Sequence, residues 1–174
     1  QYPGYANVKV NVFSNQTAIL DFSYRPYGGD SVWDSIKHKP NWGILSVTTN
    51  MVENMLNLTS YEVLSKQISD DDFWQDEAWH SDGAWLIRVQ VDLTESSDWQ
   101  INENNYKLTI NDPWKPFGFL DAINITSTDF TIINYSYIPD SASDLTEGST
   151  KDNYLLWLNT QARDSPETYI ITFT

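Results

Sequence analysis

Alternation of apolar and polar residues runs along most of this chain and begins almost at once. In YANVKVNVFSNQT, residues 5–17, Ala6, Val8, Val10 and Val12 alternate with Asn7, Lys9 and Asn11. That is the period-two pattern of a strand with one buried face. TAILDFSY puts Ala18, Leu20, Phe22 and Tyr24 on one face, and RPYGGDS breaks the run with Pro26, Gly28 and Gly29. The clearest alternation is AWLIRVQVDL, with Trp85, Ile87, Val89, Val91 and Leu93 against Arg88, Gln90 and Asp92. NYKLTI, DFTIINYSYI, NYLLWLNT and TYIITFT read as strands too, the first with Tyr106, Leu108 and Ile110 on one face, the last with Tyr169, Ile171 and Phe173. WGILSVTT reads as a further strand around Leu45 and Val47. Two segments read as helical. In TSYEVLSKQI, Thr59 and Glu62 stand at capping-box spacing ahead of Val63, Leu64 and Ile68; SVWDSIKH fits a short turn of helix.

Roughly eight strands at such close spacing predict an all-β fold, a β-sandwich with short helices in its connections. A chain of 174 residues supports one sizeable core, and no linker or repeat divides it. The formal charge of −14 excludes a basic nucleic-acid-binding face and opposes anionic membranes. No segment approaches the ~20 apolar residues of a membrane span. Without cysteine there is neither a disulfide framework nor thiolate chemistry. A start at Gln1, with no charged and apolar leader ahead of it, reads either as a mature exported product or as a trimmed chain, and the first reading implies a protein outside the cell.

Candidate chemistry is sparse. SDDDFWQDEAWHSD gathers Asp70, Asp71, Asp72, Asp76, Glu77 and Asp82, oxygen ligands of the kind Ca²⁺ takes, but without the glycine and the terminal glutamate of an EF-hand loop. It reads as a solvated acidic loop, and no metal or cofactor is expected. His38 and His80 stand far apart with no zinc spacing, GxSxG and a Gly-rich phosphate loop are missing, and no enzymatic activity is expected. Trp33, Trp42, Trp74, Trp79, Trp99 and Trp114 fall in or beside turn-rich segments. They either offer rings to sugars and partners or plug the ends of the sandwich. Four Asn-X-Ser/Thr acceptors occur, at Asn15, Asn57, Asn124 and Asn134. Asn15 lies in the SNQT turn, and Asn134 points away from its strand neighbours Ile133 and Tyr135.

An apolar-alternating first strand, a short SNQT linker and a strand-rich body that ends on its last strand resemble the donor-strand pilins. The organisation is closest to the archaeal threads, glycosylated head-to-tail filaments similar in architecture to bacterial type 1 pilins. It departs from the bacterial pattern in having no cysteine pair and in Phe173 at the penultimate position. The resemblance implies an Ig-like, pilin-like β-sandwich that lacks one strand. Residues 1–13 would be the donor-strand extension and residues 14–174 the single sandwich domain. Ala6, Val8, Val10 and Val12 would then be the subunit interface, filling a neighbour's groove by β-augmentation. Implied partners are identical subunits of a homopolymeric surface filament, serving adhesion or biofilm, and N-linked glycans at the four asparagines. Two alternatives stand beside it. Residues 5–13 could pair with residues 18–24 as an ordinary hairpin, and the chain could be a secreted, lectin-like carbohydrate-binding module using exposed Trp and Tyr.

Overall fold

The computed structural model describes residues 4–26, 30–38, 44–69, 71–75, 78–81, 83–112, 120–138, 145–147, 154–159 and 167–174. Within them the alternating segments form strands. β1 (Gly4–Val12) and β2 (Thr17–Pro26) make an antiparallel hairpin that pairs Val8 with Phe22 and Val10 with Leu20. Next come α1 (Asp30–Ile36), α2 (Ile44–Leu56), β3 (Glu62–Ser69), β4 (Phe73–Gln75), β5 (Ala78–His80) and β6 (Ala84–Asp92). A single 3₁₀ turn, Leu93–Glu95, leads to β7 (Trp99–Asn102), β8 (Asn105–Asp112), β9 (Leu120–Thr126), β10 (Ile132–Ile138), β11 (Leu145–Glu147), β12 (Tyr154–Asn159) and β13 (Glu167–Phe173).

Two sheets pack in a sandwich-like arrangement. The larger has the order β11-β12-β9-β1-β2-β6-β3 and the smaller β10-β13-β8-β7. Their inner faces are the ones the alternation predicts: Ala18, Leu20 and Phe22; Ile87, Val89 and Val91; Leu108 and Ile110; Tyr169, Ile171 and Phe173 are all buried. Aromatic rings close the ends of the core. Trp157 of β12 lies 5.0 Å from Tyr169 and takes Tyr135 and Tyr137 of β10 edge-on. At the other end of β8, Trp99 stacks on Tyr106 at 5.3 Å. Burial pushes the Tyr24 hydroxyl up to about 12, so the group stays neutral beside Trp85.

Two readings are corrected and one strand is added. WGILSVTT is not a strand: α2 runs from Ile44, and Thr48, Met51, Val52, Met55 and Leu56 are buried on one face of it. Spacings of three and four are helical, and the stripe becomes visible only over the full 13 residues. TSYEVLSKQI is not a helix: Glu62–Ser69 is β3, an outer strand on β6. Trp85, Ile87 and Val89 are buried along β6, and a strand at this depth needs ladder partners for its main chain on both sides. β2 supplies one and β3 the other, and that pairing overrides a local capping signal. β9 is not anticipated at all, because Asp121 interrupts its alternation at a register shift against β1. SVWDSIKH, by contrast, does form a helix: α1 sets Trp33 edge-to-face on Trp85 at 5.2 Å.

β4 and β5 form a separate two-stranded ribbon outside the large sheet. Phe73 is its buried anchor, with the Arg25 guanidinium 4.7 Å from its ring. The Asn7 carboxamide ties the ribbon to β1, its oxygen facing Trp74 N–H at 2.7 Å and its nitrogen the Trp74 carbonyl at 3.2 Å.

Candidate functional site

The segment that carries the functional reading, β1, sits inside the large sheet. Within this one chain it takes the hairpin alternative, pairing antiparallel with β2, and on its other side it pairs parallel with β9. All other ladders among the described strands are antiparallel. Ala6 and Val8 are 2 % exposed, and Val10 and Val12 are fully buried. Each end of β1 is fastened by a side chain from β9 or the residue just beyond it. At the start, where the register shifts, the Asp121 carboxylate accepts a hydrogen bond from Ala6 N–H at 3.1 Å. At the far end the Ser127 hydroxyl donates to the Val12 carbonyl at 2.7 Å.

The SNQT segment is the hairpin turn. Phe13 N–H donates to Thr17 O and Gln16 N–H to Phe13 O, both at 2.9 Å. Ser14, Asn15 and Gln16 form the loop, a turn closed by one residue in the left-handed region. That residue is Gln16, at φ 64°, a conformation that favours glycine. The turn is also held from outside itself. Leu93 N–H donates to the Gln16 carbonyl (2.9 Å), Trp99 Nε1–H to Gln16 Oε1 (2.9 Å), and Ser14 N–H to Asp129 Oδ2 (2.8 Å).

Next to Trp99, the carboxylate of Asp98 accepts a hydrogen bond from Asn111 Nδ2 at 3.0 Å. Burial nonetheless raises its pKa, outweighing the lowering effect of that bond. A carboxyl whose pKa is raised on folding favours the native state while protonated, and this contribution is lost as pH rises through its native value. Asp98→Asn is therefore expected to raise the urea midpoint slightly at pH 7 and to leave it unchanged well below pH 4, the ordinary aspartate value being about 3.9. A gain that persists undiminished in acid would refute this origin.

Toward the end of β1 away from the turn, three carboxylates are buried. Asp112 and Glu167 are direct partners on β8 and β13, and with Asp121 of β9 all three are buried. Asp112 accepts from Leu120 N–H with both oxygens, at 3.0 and 3.2 Å. The Tyr169 hydroxyl lies 3.0 Å from Glu167 Oε2 and 3.4 Å from Asp112 Oδ2. Sequence reasoning missed this cluster, since Asp112 and Glu167 lie just outside the NYKLTI and TYIITFT runs and Asp121 lies in a strand that is not anticipated. Asp112 does follow Leu108 and Ile110 in the period-two pattern, and that parity is the signal that could have found it.

The four acceptor asparagines are scattered. Asn15 is exposed at the hairpin tip, its Oδ1 accepting from Thr17 Oγ1 at 2.7 Å. Asn57 is exposed just past α2, with its Nδ2 donating to Ser97 at 2.8 Å. Asn134 is exposed on β10, where a register irregularity leaves Ile133 exposed as well. Asn124 is different: it is half-buried within β9, opposite Lys9 of β1 and Leu156 of β12.

Among the tryptophans, Trp33 and Trp99 are buried, whereas Trp74 is half-buried and Trp79, directly opposite it on the ribbon, is 48 % exposed. Trp42 and Trp114 lie outside the described residues, as do Asp70, Asp76, Glu77 and Asp82 of the acidic run. Asp71 and Asp72 are exposed. No group of three or more His, Cys, Asp or Glu side chains among the described residues could hold a metal ion, and no described helix is long and apolar enough to cross a membrane. No family model and no curated protein sequence matches this chain.

Proposed function

We propose that this chain is the structural subunit of an extracellular filament in which β1 of one copy fills the cleft between β2 and β9 of the next. One observation carries the reading: what binds β1 to the body is two ladders, two end fastenings and a row of buried side chains. A β1 arriving from another copy would make all of them again. Only the loop of Ser14, Asn15 and Gln16 decides whose strand it is. Exchange of this kind gives a closed pair or ring where the copies return on themselves and an open fibre where each passes its strand to a new copy, and the fibre is the form proposed.

The sheet edges support the reading, because they are poorly suited to the alternative of edge-to-edge association. β3 is bulged at Leu64 and carries Lys66, β10 has an irregularity between Ile132 and Asn134, and β7 is only four residues long. These are devices that blunt an edge against pairing. Glycans at the exposed Asn15, Asn57 and Asn134 would decorate such a filament without entering its core. A second reading, a carbohydrate-binding module, is favoured by the exposed Trp79 ring beside Trp74, 5.2 Å away and edge-on.

The chain has no cysteine of its own, so an introduced pair reports the pairing directly. Asn11 and Ile19 are cross-strand partners on the outer face of the hairpin, and antiparallel partners lie within disulfide reach. Oxidation of Asn11→Cys with Ile19→Cys is expected to give a covalent ladder of chains on a denaturing gel when filaments form before oxidation. Cross-links confined to single chains, from preparations that show fibres by electron microscopy, would remove the exchange mechanism. The same result in a protein that stays monomeric and binds glycans would favour the second reading.

A further inference from the structure

We infer that the ties on the β1–β2 turn form a latch that holds the chain in its self-paired form and sets how readily β1 passes to another copy. This rests on the exchange reading just proposed and names what regulates it. In an exchanged pair the two ladders, the Asp121 and Ser127 fastenings and the buried valines are all restored between chains. The bonds that cannot be restored are those that need the chain to reverse at Ser14–Gln16. They include the bond within the turn, from Gln16 N–H to the Phe13 carbonyl. They also include the ties that reach the folded-back loop from three separate places: Leu93, Trp99 and Asp129.

The balance between the two forms is therefore concentrated in the loop. Against the latch works the left-handed Gln16, which relaxes to an ordinary conformation once the chain runs straight. Strained, short hinge loops are the ones that favour exchange, and here external hydrogen bonds hold such a loop shut. The Gln16 side chain links the two opposing effects, since the residue whose backbone is strained is also the one that Trp99 grips. The indole is kept in place independently by its stack on Tyr106.

The test uses the full chain with the Asn11→Cys, Ile19→Cys pair as reporter. Trp99→Phe keeps an aromatic ring on Tyr106 and removes the N–H donor. Asp129→Ala removes the acceptor for Ser14 on an exposed surface, where folding is not at stake. At fixed protein concentration each is expected to raise the fraction of cross-links between chains about fivefold, the effect of one net hydrogen bond, and the two together by more. An unchanged fraction, even with a lowered urea midpoint, overturns the latch and leaves the ties a merely structural role. Cross-links between chains in the latch variants alone would uphold the latch while the filament reading of the native protein fails. Cross-links between chains at equal levels in parent and variants would do the reverse.

Discussion

Removal of residues 1–12 is expected to leave a chain that cannot fold alone, and a synthetic peptide spanning Tyr5–Phe13 is expected to restore its structure at one equivalent. β1 lies in the middle of the larger sheet, so its loss opens two unpaired edges, on β2 and β9. It also uncovers the inner face that Val8, Val10 and Val12 now fill. Burying a valine side chain contributes about 1.5–3 kcal/mol, so three of them contribute roughly 5–9 kcal/mol before any ladder bond is counted. A whole domain is typically stable by only about 5–15 kcal/mol. Circular dichroism with and without peptide, and the loss of rescue on placing aspartate at Val10 in the peptide, would measure the effect. A truncated chain with the urea midpoint of the full protein would contradict it.

The second large effect is expected at the three buried carboxylates. Asp112→Ala leaves the buried Leu120 N–H without the two oxygens that receive it and removes one of the two carboxylates facing the Tyr169 hydroxyl. Losing a buried hydrogen bond to a carboxylate costs about 1.5–3 kcal/mol, and the vacated volume adds to this, for a total on the order of 2–5 kcal/mol. Asp112→Asn keeps an acceptor for Leu120 and should recover part of the loss. Tyr169→Phe, which leaves Glu167 without its 3.0 Å partner, should fall between the native protein and the alanine variant. Urea midpoints of the three variants give the order directly. If the alanine variant matches the native midpoint, the cluster does not hold β8, β9 and β13 together as described.

Most of the strand scaffold could be read from the chain, because a strand with one wet face writes its burial into the sequence at period two. In β1, β2 and β13 burial alternates residue by residue and the apolar set read from the chain is the buried one, while in β6 the alternation holds from Ile87 onward. The failures share a cause: local pattern competing with pairing made at a distance. β9 shifts register against β1 at Asp121, so Leu120 and Ile123 share the buried side although their spacing is odd. β3 has little buried face to display, and its identity as a strand comes from β6 rather than from itself. α2 was hidden by the short window over which it was read. At the candidate site the apolar half of β1 was legible, whereas its parallel neighbour was not, because nothing in Ala6–Val12 specifies what lies across from it. The ties of Gln16 to Leu93 and Trp99 join residues far apart in the chain and leave no local trace.

The orientation of β1 has a mechanical consequence. In an exchanged fibre, tension would enter a body through β1 at its Phe13 end and leave through the start of β2, at Thr17. Because Val12 pairs with Ala18, those two points lie side by side at one end of the β1–β2 ladder. Load would therefore open that ladder one pair at a time from the turn end, as a hairpin is peeled, and would not shear all its rungs together. The Ser127 bond to the Val12 carbonyl stands at that same end and would be among the first contacts to carry the load.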